Sequence, residues 1–521
     1  MRNILFLTPL FFTLLISSCS TGPKSFEELI TGEIISQVNP YQRVPLGAQL
    51  SFNTKVPCKV SIEVLGEHPI RRTFPSLATV HEVPILGLYS GKENTVLLEL
   101  ETEGGDIFQD SLKVTTAPLP DFFPEIEITQ INRNKMEEGM HLVDLLIGNN
   151  GKFLTYTLIF DDAGEIRWYM DMSERAQIAY TNYRLKNGNW FYFDWIDLIE
   201  VNDLGKTIKE EQLFNNASNH DMLELDNGNL LMAGSMKDSY VLADGKQHPS
   251  RFDAAFIWDR QQKRPIKEWD LRQVLDVDRL VYPPDFIVDY RSDWFHVNSI
   301  DRDAADNTLV ISGRNQGVVK VDANNDLKWI LAPHLAWGKA GPEGKGPETA
   351  PFLLTAVDAG GKALPENVQA GIAGTEDFEW STGQHAAKVL PNGHILLFDN
   401  GLMRNFVQKP SYSRAVEYAI DEEAGTIRQV WQYGKERGLD MYSAITSEVD
   451  VLERTNNRLI TAGNIRLGSL PPHGKIIELT YPENEVVFEA NVFFKDAKGN
   501  QQRAWAQFDL LFQGERYSLM P

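Results

Sequence analysis

Cysteine is nearly missing from this chain. Cys19 and Cys58 are the only two among 521 residues, which excludes a fold stapled by several disulfides. Basic residues are also few, with 50 Lys and Arg against 72 Asp and Glu and a formal charge of −22. That balance argues against a nucleic-acid backbone as partner, although a local anion site needs only a few Arg, His and backbone N–H groups. Neither a GxxxxGK[ST] segment nor a supported dinucleotide fingerprint occurs, so no activated nucleotide donor is suggested. A clear carboxylate pair, as glycoside hydrolysis uses, is lacking as well. What remains, 42% hydrophobic and 23% charged residues, is the composition of a soluble globular protein. Its length exceeds what one continuous core holds, so two domains or a radial repeat are expected.

The one long apolar run lies near the beginning. Arg2 precedes Ile4 to Ile16, followed by Ser17-Ser18-Cys19-Ser20, which has the basic, apolar and small-residue order of an export signal and is short for a membrane span. Ile16-Ser17-Ser18-Cys19 resembles a bacterial lipobox, implying cleavage before Cys19 and lipid on its sulfur. The plainer alternative is a secretion signal with an incidental Cys19. The expectation is a signal peptide at 1–18 and an exported lipoprotein, membrane-anchored through Cys19 on the periplasmic side of the envelope, at the outer membrane. Lipid on Cys19 leaves Cys58 without an intrachain partner, and loss of Arg2 moves the charge to near −23.

Residues 19–40 read as a tether. Between 41 and 122, short alternating runs such as Ala48 to Phe52, Lys59 to Val64 and Asn94 to Leu100 predict a small β-sandwich that serves as spacer or cap. Pro118, Pro120 and Pro124 make a stiff boundary. From 123 to 521 a strand, an Asp/Asn/Gly turn, a second strand and a third ending in Trp recur, the Trp being Trp168, Trp269, Trp329 and Trp431. Six such units, at 137–173, 178–212, 218–273, 294–332, 383–434 and 441–490, predict an all-β chain: a six-bladed β-propeller behind the N-terminal β-sandwich. A closing strand is expected in 491–521, around Ala504 to Asp509. The long interruptions at 273–293 and 333–379 abut two histidines and are expected to wall the mouth of a site.

Three of the ten histidines share a placement. His220, His296 and His385 each stand at the entrance of a hairpin, 76 and 89 residues apart, so a ring of units would bring them to one axis. Arg314, after the second strand of the His296 unit, offers a planar fork of donors for a tetrahedral oxyanion. Asn298 shares the His296 face if the strand has begun, and Thr446 stands at the matching entrance of the last unit as an anion donor. Three histidines suggest zinc first. Against a metal, an Arg aimed at the group repels a cation and no acidic partner is evident. The other reading is covalent transfer, with a neutral imidazole as nucleophile and Arg314 steadying charged oxygens.

The stretches Asn219-His220-Asp221, Phe295-His296-Val297-Asn298-Ser299, Ser312-Gly313-Arg314-Asn315-Gln316, Thr382-Gly383-Gln384-His385-Ala386 and Tyr442-Ser443-Ala444-Ile445-Thr446-Ser447 resemble the bacterial aryl-sulfate sulfotransferase family, over essentially residues 40–521. The resemblance implies transfer of a sulfuryl group from a phenolic sulfate to another phenol, independent of PAPS, with no cofactor and no metal. It implies that His385 becomes a transient sulfohistidine and that Arg314, His220 and His296 surround the sulfuryl and bridging oxygens, with Asn298 and Thr446 binding substrate. Small phenolic sulfates and phenols are then the partners, and the chain is a monomer or a homodimer. The disulfide of better-known periplasmic members has no counterpart here. An aryl sulfatase sending the group to water, a metal-dependent His₃ enzyme and a non-catalytic binding propeller are the alternatives.

Overall fold

A computed structural model describes residues 23–149, 152–174, 180–236, 240–241, 247–248, 250–279, 281, 292–495 and 509–519. The signal segment and Cys19 lie outside the described residues. Among those described, no helix is long and apolar enough to cross a membrane.

The chain is all-β and built of several sheets. The N-terminal five-stranded sheet centres on Ala48–Val64, which pairs with Ile70–Ile85 on one side and with Ile30–Val38 and then Glu93–Thr102 on the other; Ile107–Thr115 follows outward. Alternate residues of these strands, among them Leu50, Val60, Ile62, Val96 and Leu98, fill one apolar core, as period-2 patterning requires. The tether expected at 19–40 is corrected over much of its length. Phe26–Leu29 forms a helical turn capped by Ser25, and Ile30–Val38 is an edge strand. Its inward residues fall four apart and a register shift interrupts the pairing between Thr31 and Ile35, which hid the strand from an alternation test.

Among the described residues six further sheets of four or five strands follow in chain order, with a two-stranded one, Tyr240–Val241 with Gln247–His248, between strands of the third. The second, third and fourth are four-stranded and cover 180–212, 216–270 and 297–331. In the fifth, the strands between His385 and Tyr433 are joined by Thr355–Ala356 at the outer edge. The first and sixth are completed by strands from far along the chain. Leu510–Tyr517 pairs with Met140–Asn149, and Glu125–Ile131 pairs with Val486–Phe493. The closing strand is therefore Leu510–Tyr517. Of the stretch expected to supply it, residues 504–508 lie outside the described residues and Asp509 stands just before the strand.

The leading strands of neighbouring sheets touch. Asn216–Glu224 meets Val297–Asp303, which meets His385–Val389, which meets Glu448–Val451; the last also meets Leu510–Tyr517. Carboxylates stitch these contacts, Asp221 Oδ2 accepting from the Ile300 N–H at 2.8 Å and Asp301 Oδ2 from the Val389 N–H at 2.7 Å. The Trp signal is the outer counterpart. Trp269 and Trp329 stand in the outermost strands of their sheets and Trp431 in the strand that only Thr355–Ala356 flanks, each fourth rather than third in its unit, whereas Trp168 is in the third strand of its unit as expected and is fourth in its sheet only because Leu510–Tyr517 heads it. Each indole N–H reaches the next sheet, donating to Asp203 O, Asp322 O, Glu422 Oε1 and Asn484 Oδ1.

One part of the segment 333–379 departs from expectation. Thr355–Ala356 pairs in parallel with Thr426 and Ile427, at the end of the fifth sheet opposite His385, because each of its four antiparallel strands reverses direction. An outer-edge strand there satisfies its own backbone without walling the site. Residues 282–291 of the other interruption lie outside the described residues.

Candidate active site

Strand pairing slips at the same place in the leading strands. Register shifts fall between Ser218 and Met222, between Val297 and Ser299, between His385 and Lys388, and between Leu511 and Gly514. A bulge re-aims side chains that regular pleating would send to the sheet faces. His220 and His296 (both φ +57°) and Thr446 (φ +58°) take the left-handed conformation, and Ala386 (φ +53°) takes it just after His385. Such backbone is costly for residues with a Cβ and persists only where the surroundings fix it.

The bulges bring the predicted residues together. His220 Nε2 lies 3.3 Å from His296 Nε2, and the His220 ring centroid is 6.2 Å from that of His385. The Arg314 N–H donates to the His296 carbonyl at 3.0 Å, so Arg314 returns to the His296 end as the sequence suggested. His220, Asn298, His385, Thr446, Ser447 and Phe512 border a space of about 20 Å³, the room of a small polar group. Thr446 spends its hydroxyl proton on Ile445 O at 2.6 Å. Asn298 donates to Gln384 O at 2.7 Å while its Oδ1 is buried with no hydrogen-bond partner among the described residues. A wider cleft of about 570 Å³ beside His68, Tyr89 and Lys92 gathers no comparable set of groups.

Nothing in the strand pattern singled out Asn400, which orients His385. Its amide nitrogen donates to Ser443 O at 2.7 Å and Thr446 O at 2.9 Å, so its Oδ1 faces His385 Nδ1 at 2.8 Å. Gly383 O, also an acceptor, is 3.1 Å from the same nitrogen. Two acceptors at Nδ1 place the ring proton there and leave the Nε2 lone pair free. Burial, opposed by the Asn400 bond and reinforced by Arg314, takes the His385 pKa down to about 3. Burial also holds His220 well below the ordinary imidazole range, helped by His296, His385 and Arg314. Burial and then Arg314 lower His296, with Asp293 pulling the other way. All three rings are neutral at neutral pH.

Asp293 corrects the expectation that no acid stands behind the histidines. Its Oδ2 lies 2.7 Å from His296 Nδ1 and 3.9 Å from an Arg314 nitrogen. The only sequence signal was an Asp three residues before the His. The three imidazoles do not gather their donor atoms as a metal requires. Among the described residues only Asp303, Asp306 and Glu422 offer ligand atoms all within 4.8 Å of one another, and Lys320 Nζ is 2.8, 2.9 and 2.6 Å from them. Phe252 and Phe512 set their rings edge-on to His296 and His220.

Comparison with known proteins adds an independent finding. A family described as Arylsulfotransferase (ASST) matches residues 125–501, and one described as Arylsulfotransferase Ig-like domain matches residues 35–117. The arylsulfate sulfotransferase AssT of Escherichia coli O6:H1 is 28% identical over 565 aligned positions, spanning 90% of this chain and 91% of that protein. The protein of the same name from Lelliottia amnigena is 28% identical over 566, with the same shares. A solved protein of unknown function from Bacteroides thetaiotaomicron aligns over 89% of this chain and 98% of its own at 8% identity, with a TM-score of 0.31, too slight a likeness to carry argument.

Proposed function

The chain belongs to the bacterial arylsulfotransferase family, and from that premise we propose that it carries a sulfuryl group from a phenolic sulfate ester to a phenol in two displacements through His385. The observation that carries the reading is the proton placement at His385: Nδ1–H held by Asn400 and Gly383 O, Nε2 with its lone pair free. That is the form in which an imidazole attacks without first losing a proton.

In the first displacement Nε2 of His385 bonds to sulfur while the sulfur–aryloxy bond breaks. Arg314 and the edges of His220 and His296 meet the three sulfuryl oxygens. In the second, an acceptor phenol takes the vacated place and its oxygen attacks sulfur, returning the electron pair to Nε2. Neither displacement calls for PAPS. Asn298 steadies the bound group through its amide, and Thr446 shapes the cavity wall. We read the six sheets as blades of a closed propeller, supported by the succession of touching leading strands and the two long-range closing strands. The sandwich domain then starts at Phe26 rather than at 41 and runs to 122, and 123–521 is the catalytic one. A lipid on Cys19 anchors the whole at the periplasmic side of the outer membrane.

Intact-mass analysis after incubation with 4-nitrophenyl sulfate and no acceptor is the direct test. The wild-type chain gains one sulfuryl group, on His385, and loses it when a phenol is added; His385→Ala gains none. An adduct on another residue, or transfer by the alanine variant, overturns the assignment. Arg314→Lys keeps charge and loses the fork, and kcat falls by roughly 10²–10³; kinetics near wild type exclude the oxyanion role.

A further inference from the structure

Transfer through His385 leaves a proton to be placed. The aryl oxygen departs with the electron pair of the sulfur–oxygen bond and needs a proton. The acceptor phenol must give one up, and His385 Nδ1–H is committed to Asn400 and Gly383 O. A carrier close to sulfur, neutral at rest and able to hold a positive charge for part of the cycle, meets both needs.

His296 has a carboxylate at its far nitrogen. Asp293 Oδ2 stands 2.7 Å from His296 Nδ1, with the carboxylate mostly enclosed. Its Oδ1 is buried and has no hydrogen-bond partner among the described residues. At His296 Nε2 the neighbour is His220 Nε2 at 3.3 Å. With Nδ1–H donated to Asp293, His296 Nε2 accepts and His220 Nε2–H donates. The charged groups facing His296 are Arg314 and Arg251, which oppose a second proton, and Asp293, which favours one; His220 and His385 are neutral. At rest the two cations and burial prevail. An anionic sulfate ester placed against Arg314 offsets that charge, and the Asp293 carboxylate then decides the balance.

We propose that Asp293 is a positioning residue that makes His296 the proton carrier of the site, so that binding of an aryl sulfate anion draws one proton onto His296. The inference rests on the proposed transfer through His385. The proton enters at His296 Nε2, displacing the hydrogen bond from His220. As the sulfur–oxygen bond breaks, the aryloxy oxygen takes that proton and leaves as a phenol, and His296 is neutral again. In the second displacement the acceptor phenol gives its proton to His296 Nε2 while its oxygen attacks sulfur. The regenerated enzyme releases the proton with the product sulfate ester. Each cycle consumes no net proton.

The measurement is calorimetric titration of the full chain with benzenesulfonate, an aryl anion with no sulfate ester to transfer, in phosphate and in Tris at neutral pH. The difference in heat gives uptake of about one proton per site for the wild type. Asp293→Asn retains an acceptor for His296 Nδ1–H but not the charge, and it binds with almost no uptake. A wild type that binds without uptake, that fails to bind, or that matches Asp293→Asn overturns the proposal. Kinetics supply a readout that an orienting role alone does not move. Asp293→Asn slows transfer from phenyl sulfate far more than from 4-nitrophenyl sulfate, whose phenolate leaves without help, by a margin on the order of 10²-fold. Equal losses with both donors count against it. Failure of the His385 assignment is separate, since it shows in the mass of the donor-treated wild type whatever Asp293→Asn does.

Discussion

At the residue scale, the proposed transfer turns on which nitrogen of His385 carries hydrogen, and that is decided 15 positions away by Asn400. Asn400→Ala removes the acceptor and leaves the Ser443 and Thr446 carbonyls without their donor. The expected loss is about 10²-fold in the rate of His385 modification, as for a misaligned nucleophile, read in a single-turnover mass assay with the fold checked by circular dichroism. A rate near wild type removes Asn400 from the account. The depressed pKa also has a sign. A His whose folded pKa is about 3, against 6.5 when free, stays unprotonated in the native state while the unfolded chain binds a proton. Its contribution is intact above 6.5 and is lost as pH falls through the interval below. For catalysis, kcat/KM stays free of an acid limb from His385 near pH 6.5, and a pH profile of phenol release checks it. An acid limb near pH 6.5 that persists in Asp293→Asn contradicts the buried neutral nucleophile.

At the element scale, two devices repeat around the sheets. The bulge at each histidine strand trades regular pairing for a side chain turned out of the pleat, and the outer Trp ties one sheet to the turn of the next. Where the second sheet ends without a Trp, in Thr207–Gln212, Arg260 of the following sheet ion-pairs with Glu200 and Glu211 instead. The indole bonds are distant from the site, so their loss touches stability alone. Trp269→Phe keeps most of the apolar contact and gives up the bond to Asp322 O, a cost of about 1 kcal/mol. Urea denaturation measures it, with KM and kcat unchanged. A variant equal to wild type in denaturant shows that water replaces the bond without loss. The four Trp were visible in the sequence as a recurring strand end. Their place at or next to the outer edges of the sheets was not, because strand order depends on pairing and alternation reports only which side of a sheet a residue faces.

At the scale of the whole molecule, the ends of the body are joined by Leu510–Tyr517. Arg516 on that strand donates to Glu478 Oε2 in the sixth sheet and to Gly139 O and His141 Nε2 beside the first. Glu478 is fully enclosed. Arg516→Ala leaves that carboxylate short of its cation, a loss of roughly 3–5 kcal/mol, seen as a lowered denaturation midpoint; Arg516→Lys restores part of it. An alanine variant as stable as wild type refutes the joining role. Asp144 records the same closure as a pH effect. Its Oδ1 accepts from the Phe512 and Gln513 N–H groups of the closing strand, and burial raises its pKa to about 7. A carboxyl raised in the folded state favours folding at low pH, and that advantage is lost as pH rises from the free value of 3.8 through about 7. Asp144→Asn, neutral at every pH, therefore gains more stability over wild type at about pH 8 than at about pH 5, as denaturation at the two pH values shows. A gain of the same size at both excludes the titration.

The sequence by itself determined that this is an all-β chain, and it singled out His220, His296, His385 and Arg314 as one set, which the structure brings together. Alternation and turn residues are local properties, and equivalent positions in a repeat can be matched without coordinates. Only the tertiary structure decided that 30–38 is a strand, that 355–356 joins the fifth sheet at the end opposite His385, and that Asn400 and Asp293 stand behind two of the rings. Those facts depend on where bulges aim a side chain and on which strand lies beside which. Contacts across many residues of chain are set by how the sheets pack, and no periodicity of two encodes them.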